Sequence, residues 1–500
     1  GVADSLNNMT VNNTAGVTIN SATYVKKYLT LTAGTVTTGG NLTVDLYFGA
    51  ILGTGTGSVS GNITVVRTIW NYNWHYISSP LSGRTVADWN AIIPIKFGVN
   101  ANLYTYDETN PSTNKAIGWT AVAGMGTVIT SMKGYSLYFP RWIYKTNFSM
   151  TGAYTHSQTY SNAGLTNTSS GVSTSDGWNL VGNPYPSEID WDAVSGWTKT
   201  GLDNAIYFWD QANNRYASYV SSVGSNGGTR YIPCMQGFYV RVTNPGTGTL
   251  AMTNSVRSSV INRDNWRISS QDLLIRLNAI TGAYSDETVI RLTDLATDNF
   301  DSQLDAYKLP SSGSTPNLST SLANADYSIN SISSNTIEKT IPVKLIAGLT
   351  GTYTITADIT GLNNTDSIIL EDKLLGISQD LISKPSYSVG LTSGDTTSRF
   401  YLHYKSSASI ITDNTNALGN SELDITAYQQ KVSITFPDQN SGTSNIYVYD
   451  MIGNKVYVLE NADTSSGKVE FNLPNVSSAV YIVKVQSNAL NKTQQVYLSK

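Results

Sequence analysis

GWNLVGNPYPSEIDW, residues 177–191, sets two tryptophans around two carboxylates, Glu188 and Asp190, with prolines that can fix a loop. That is the composition of many sugar-cleaving clefts. The stretch has a counterpart earlier in the chain. In NWHYISSPLSGRTVADW, residues 73–89, Trp74 answers Trp178, Pro80 answers Pro184, and Asp88-Trp89 answers Asp190-Trp191. Further on, NLYTYDE (102–108) matches AIYFWDQ (205–211), and MKGYSLYF (132–139) matches MQGFYVRV (235–242). The landmarks stand 104 apart at the first Trp, 102 at the second, and 103 at both Tyr104/Tyr207 and Gly134/Gly237. Landmarks that hold one offset so closely mark a duplicated unit of roughly 100 residues.

The duplication weighs chemistry against architecture. A catalytic carboxylate pair needs both members at a set separation. The first copy keeps both tryptophans, the proline and Asp88, but has Arg84 and Thr85 where Glu188 stands. What repeats is what a fold needs. The tryptophans are therefore expected as core or inter-sheet plugs, with prolines shaping a strand-to-loop exit. The functional alternative is a carbohydrate-stacking surface in the second copy.

Composition places this unit in an all-β chain. Charged residues are only 13% of the 500, and Thr, Ser, Asn, Gly and 31 Tyr fill the gap. Polar uncharged strand faces with many tight turns have this signature. The net charge of −4 comes with no basic block, which argues against nucleic acid. The single cysteine, Cys234, excludes an intrachain disulfide and cysteine-rich metal sites. No run of eighteen apolar residues occurs. The chain opens on GVADSLNNMTV, already strand-like and without a leader pattern, so a processed product or the C-terminal part of something longer is expected.

The fold class expected is all-β: a short β-solenoid-like N-terminal segment, tandem antiparallel β-sandwich modules, and a small C-terminal β-sandwich. In residues 1–66, NLTV begins at Asn41 and NITV at Asn62, 21 apart, and VTIN ends at Asn20, again 21 before Asn41. Coils of about twenty residues suggest a solenoid edge or stacked hairpins. Residues 67–255 hold the duplicated module, with copies at about 67–150 and 171–255. Residues 256–410 alternate polar and apolar, as in DLLIRLNAI and TYTITADIT, and read as another antiparallel sandwich. Polar residues 411–424 form the linker, and residues 425–500 a compact last unit.

Other chemistry is thin. Asp294, Asp298, Asp301 and Asp305 miss the EF-hand spacing and are expected as capping aspartates on a solvated helical turn. His75, His156 and His403 lie in no metal pattern. No G-x-S-x-G elbow or P-loop is present, and Cys234 reads as a buried thiol. No catalytic, metal or cofactor-binding residue is assigned, no cofactor is expected, and the chain is expected not to be an enzyme.

The last unit carries a specific resemblance. NIYVYDMIGNKVYVLE (445–460) is a hairpin by pattern, with Gly453-Asn454 supplying the turn. KVEFNL (468–473), AVYIVKV (479–485) and QQVYLSK from Gln494 are further strands. This order resembles the type A C-terminal sorting domain of proteins exported by the type IX secretion system of Bacteroidota. Ala479 and Gln495 depart from the residues usual there, Gly and Lys, without breaking the strand pattern. The upstream modules resemble those of the same exported proteins. The resemblance implies an export signal carried by Tyr449, Asp450, Gly453, Lys455, Tyr481, Val483, Lys484, Val485, Val496 and Lys500. It implies partners in the outer-membrane translocon and its shuttle barrel protein, then cleavage near the linker and surface attachment or release. Three triplets, at Asp4-Ser5-Leu6, Asp366-Ser367-Ile368 and Asp395-Thr396-Thr397, resemble an O-glycan acceptor motif of such proteins, with Ser5, Ser367 and Thr396 as acceptors. Asx-turn chemistry selects the same residues.

The reading this supports is an exported cell-surface or secreted adhesin or structural protein, with surface glycans or other cell-surface proteins as its targets. The alternatives are the accessory C-terminal region of an exported hydrolase, or a carbohydrate-binding module.

Overall fold

The computed structural model describes residues 4–53, 55–70, 72–110, 118–140, 145–170, 172, 174–259, 273–323, 325–334, 338–362, 366–396, 398–406, 423–428, 430–436, 442–450, 454–473, 476, 479–486 and 491–498. The chain divides into two compact units, Gly1–Ala408 and Ser409–Lys500. The linker expected at 411–424 lies, up to residue 422, outside the described residues. The described part is nearly all β, and none of its helices is long and apolar enough to cross a membrane.

The first unit begins with parallel coils. Strands Asp4–Asn12, Thr23–Ala33, Leu42–Asp45 and Asn62–Trp70 stack in parallel, with Thr23 opposite Leu42 and Leu42 opposite Ile63. A second parallel wall is built from Val17–Thr18, Thr35–Thr37 and Ser58–Ser60. Alternation sends Val25, Leu29, Val36, Leu42, Val44, Ile63 and Val65 inward, where each coil buries its face on the next. NLTV and NITV are in register, as their spacing implies. VTIN is not: its Val17 faces Val36 in the other wall. Asn62–Trp70 runs past residue 66, and Lys145–Ala153 closes the stack by pairing antiparallel along its whole length. The limits 67–150 expected for the first copy thus run into strands of the coil stack.

The two copies share one connectivity. Asn73–Ile77 pairs with Tyr135–Phe139, which pairs with Leu103–Tyr106, which pairs with Trp119–Ala121. In the second copy Trp178–Gly182, Gly237–Arg241, Ile206–Asp210 and Arg215–Val220 follow the same order. Register repeats too: Trp74 opposite Tyr138 becomes Trp178 opposite Arg241, and Tyr104 opposite Ser136 becomes Tyr207 opposite Tyr239. The copies meet through two equivalent bridges, Ile77 with Gln236 and Lys133 with Val181. Backbones approach closely there, and a Cβ at Gly134 would lie 2.6 Å from both Leu180 Cγ and Val181 O.

Residues 273–405 form one continuous mixed sheet rather than an all-antiparallel sandwich. Tyr284–Thr293 and Ala325–Ser333 run parallel, with Val289 opposite Ile329. The two ends of the sheet face each other, so Leu277, Tyr353 and Tyr387 share a core with Ile368, Phe400 and Leu402. Its middle strands also pack on the duplicated module: Leu274, Val289, Ala306 and Ile329 join Tyr76 of the first copy and Trp178, Tyr207 and Tyr239 of the second. Burial on both faces explains why polar-apolar alternation fades in these strands. Several of their polar groups are paired inside, as in the ion pair of Lys308 with Asp286 and the 2.8 Å bond of Ser218 Oγ with Ser328 Oγ.

The second unit is a small two-sheet sandwich. Asp424–Tyr428, Lys431–Thr435 and Lys468–Asn472 form one sheet. Lys455–Asp463, Thr443–Tyr449, Ala479–Gln486 and Asn491–Leu498 form the other. Ile425, Ile434, Phe471, Ile446, Val448, Val483, Val485 and Leu498 fill the space between them.

Candidate functional site

The tryptophan loop is a packing device. Trp178 is buried against Tyr207, ring centroids 4.9 Å apart, and its Nε1 donates to Thr174 O at 3.0 Å. Trp191 is fully buried, donates to Asn204 O at 2.7 Å and packs edge-on to Trp197 at 4.9 Å. Between the tryptophans, the Asn183 side chain accepts from Tyr185 N and donates to Ser187 O and Ile232 O. Tyr185, also buried, donates its hydroxyl to Gln158 O and Met252 O. The burial of both tryptophans removes the stacking surface considered for this copy. Trp74, the first-copy counterpart, is half-buried against Tyr104 and Tyr138.

The two carboxylates share one face of strand Glu188–Asp190, because Ile189 between them points into the core. Asp190 is engaged by Arg230 through a fork, Nε to Oδ1 at 2.5 Å and Nη2 to Oδ2 at 2.7 Å. Asp192 accepts from the Tyr219 hydroxyl. Lys199 lies over the Trp191 ring at 3.6 Å and donates to Trp191 O at 2.9 Å and Asn204 Oδ1 at 3.2 Å. Burial pulls its ammonium down to about 8, against the pull of Asp192 and Asp190. Asp190, Asp192, Lys199 and Arg230 thus each have a structural partner, and the cluster locks the loop that follows Trp191.

Elsewhere the singled-out residues are scattered. His75 packs on Phe139, His403 Nε2 lies 2.8 Å from Glu371 Oε2, and His156 is buried between Tyr154 and Gly53 O. Among the described residues no group of three His, Cys, Asp or Glu is placed to hold a metal. Cys234 is buried, and burial pushes its thiol up to about 12. The aspartate run makes a series of turns, of which residues 301–305 are a single helical turn, with Leu304 N and Asp305 N both donating to Asp301 O at 2.9 and 2.8 Å. Asp301 accepts from Thr297 N at 2.6 Å, four residues before it, and so closes the preceding loop rather than capping a helix. Asp298 pairs with Lys339 at 2.8 Å. Asp305 departs from the solvated role expected: it is buried, accepts from Ser331 N and Asp301 N, and burial pushes its carboxyl up to about 7.

The residues assigned to the export signal fall into two groups. Tyr481, Val483, Val485 and Val496 are core. Tyr449, Lys455 and Lys484 lie outside the core, with Lys455 Nζ 4.7 Å from the Tyr447 ring. Asp450 ties the hairpin by accepting from Asn454 N at 2.8 Å and Asn454 Nδ2 at 2.9 Å. Gly453 and Lys500 lie outside the described residues. Sequence reasoning missed Lys492 and Gln494, whose side chains donate to Leu423 O at 2.6 Å and Ile425 O at 2.8 Å and join the last strand to the other sheet. Of the three acceptor triplets, Ser5 and Thr396 are exposed, whereas Ser367 is half-buried in a strand paired on both sides.

Comparisons with known proteins add the following. No curated protein matches. A solved biofilm associated protein, BSP domain, aligns at 11% identity and a TM-score of 0.12, covering 70% of this chain and 64% of its own. One family model, a domain of unknown function (DUF8693), matches residues 2–404 and so spans the coils, the duplicated module and the mixed sheet together. A second, the secretion system C-terminal sorting domain, matches residues 428–499. The chain belongs to the DUF8693 family, and its sorting domain makes it a type IX secretion cargo, exported to the cell surface or beyond.

Proposed function

We propose that the chain is an adhesin or structural surface protein, delivered by its C-terminal domain and without catalytic activity of its own. The observation that carries this is a sorting domain in its own unit, following a β framework whose most enzyme-like loop is committed to packing. Asp190 illustrates the commitment, since both its oxygens are occupied by Arg230. Export then runs through the periplasm and across the outer membrane, with the translocon and its shuttle barrel as partners of residues 425–500. Surface glycans or other cell-surface proteins are the targets of residues 1–408.

The test pairs attachment with turnover. Cells exporting the chain should attach to surfaces and to one another more than cells whose chain lacks residues 4–404. Purified protein should release nothing from polysaccharides or aryl glycosides. Turnover abolished by Glu188→Gln would move the reading to the exported hydrolase, and equal attachment by both strains would end the adhesin reading.

A further inference from the structure

The chain buries or half-buries nearly all its described aromatics, and the exceptions are few. Among the described residues the exposed aromatic side chains are Phe48, 50% exposed, Trp70, 38%, and Tyr72, 39%. Tyr47 links the first two, with ring centroids 4.7 Å from Phe48 and 6.4 Å from Trp70. We propose that Phe48 and Trp70, bridged by Tyr47, form a glycan-binding platform that takes the faces of pyranose rings and, through Lys145, favours acidic sugars. The proposal rests on the surface-binding reading above and locates its ligand contact.

The platform is preorganised. Asp45 accepts from Tyr47 N at 2.8 Å and from the Tyr24 hydroxyl at 3.0 Å, and Leu46 N donates to Val66 O at 2.7 Å. At the far end of the loop, a Cβ on Gly49 would lie 1.8 Å from Lys27 O, so only glycine lets the chain press onto the preceding coil. The rings are therefore presented at little ordering cost on binding.

Its surroundings fit sugar better than protein. Lys145 stands opposite Trp70 in the closing strand pair, its Nζ over the indole at 5.0 Å from the centroid, so its charge meets a sugar carboxylate at that ring. On the same face, Thr68 Oγ1 donates to Asn147 Oδ1 at 3.0 Å, and Thr64 Oγ1 lies 2.8 Å from Thr151 Oγ1. These hydroxyls and amides run on from the aromatics along the strands, as sugar hydroxyls require. A stable protein interface buries about 1,200–2,000 Å² around a centre depleted of charge. Three aromatic rings flanked by a lysine and by threonines and asparagine suit a polysaccharide segment.

Affinity electrophoresis of the whole chain tests this, with alginate as the acidic probe and laminarin as the neutral one. The wild type should be retarded by alginate. Phe48→Ala/Trp70→Ala should weaken that binding at least tenfold, and Lys145→Gln should weaken alginate binding while sparing laminarin. If the double variant melts lower, Phe48→Ala alone, at a half-exposed side chain, repeats the test. Absence of retardation by both probes overturns the platform. So does undiminished binding by the variants, or sedimentation in which they turn a wild-type dimer into monomers. Retardation lost in the variant while cell attachment persists supports the platform and assigns attachment to another surface of the chain.

Discussion

Met132 and Met235 are exchanged between the two copies of the duplicated module. Met132, from the first copy, is buried in the core of the second, and Met235 is buried in the core of the first. Both hold the left-handed backbone at φ 60, and their carbonyls accept reciprocal bonds, Gly182 N to Met132 O and Ser78 N to Met235 O, each at 2.9 Å. A left-handed non-glycine residue costs about 1–2 kcal/mol. Each buried methionine side chain and cross-copy hydrogen bond offsets that cost, so neither copy completes its core alone.

Met132→Ala should therefore damage the copy it does not belong to. Removing a buried methionine costs about 2–5 kcal/mol. Native-state hydrogen exchange should show lost protection in Gly237–Arg241 and Gly246–Met252 before Tyr135–Phe139. Loss confined to residues 73–139 would contradict the exchange.

Trp191→Ala should destabilise the second copy by about 3–5 kcal/mol, through the cavity left between Trp197 and Phe238. Denaturant melts report this. Alginate binding by the folded fraction should not change, because the platform lies elsewhere.

Two buried groups respond to acid with opposite sign. Burial, then Arg257, hold His156 near 4, so the unfolded chain takes up this proton first as pH falls below its ordinary 6.5. Its contribution is full above about 6.5 and drains away down to about 4. Asp305 binds its proton up to about 7 in the folded state, so its contribution is present at low pH and lost between about 4 and 7. His156→Gln should raise the urea midpoint at pH 4.5 relative to that at pH 7.5. Asp305→Asn should raise it at pH 7.5 relative to pH 4.5, by removing a buried charge. Parallel shifts at both values would show that neither group titrates as described.

Deleting the last ten residues removes a strand that pairs with Ala479–Gln486 at eight positions and exposes that edge. A reporter fused to residues 406–500 should reach the medium or cell surface, and its truncated form should stay in the periplasm. Export of the truncated fusion would separate the last strand from the signal.

Local sequence was enough for the duplication, the coil register of Leu42 with Ile63, and the last five strands of the sorting domain, though not for its first two, Asp424–Tyr428 and Lys431–Thr435. Each is written in local alternation, turn residues or a fixed offset, which survive in one dimension. It also gave the reason to read Trp178 and Trp191 as packing, since only the fold set repeated. Tertiary structure alone decided which face meets which. Tyr284–Thr293 lost its alternation because one face packs on its own sheet and the other on Trp178 and its neighbours. Asp305 looked like its solvated neighbours in sequence and is buried only because Ser331 N comes to it from a distant strand. The same holds for the exposed aromatics: nothing local separates Trp70 from Trp191. One ends a strand at the rim of the coil stack, and the other is enclosed by residues brought together from across the second copy.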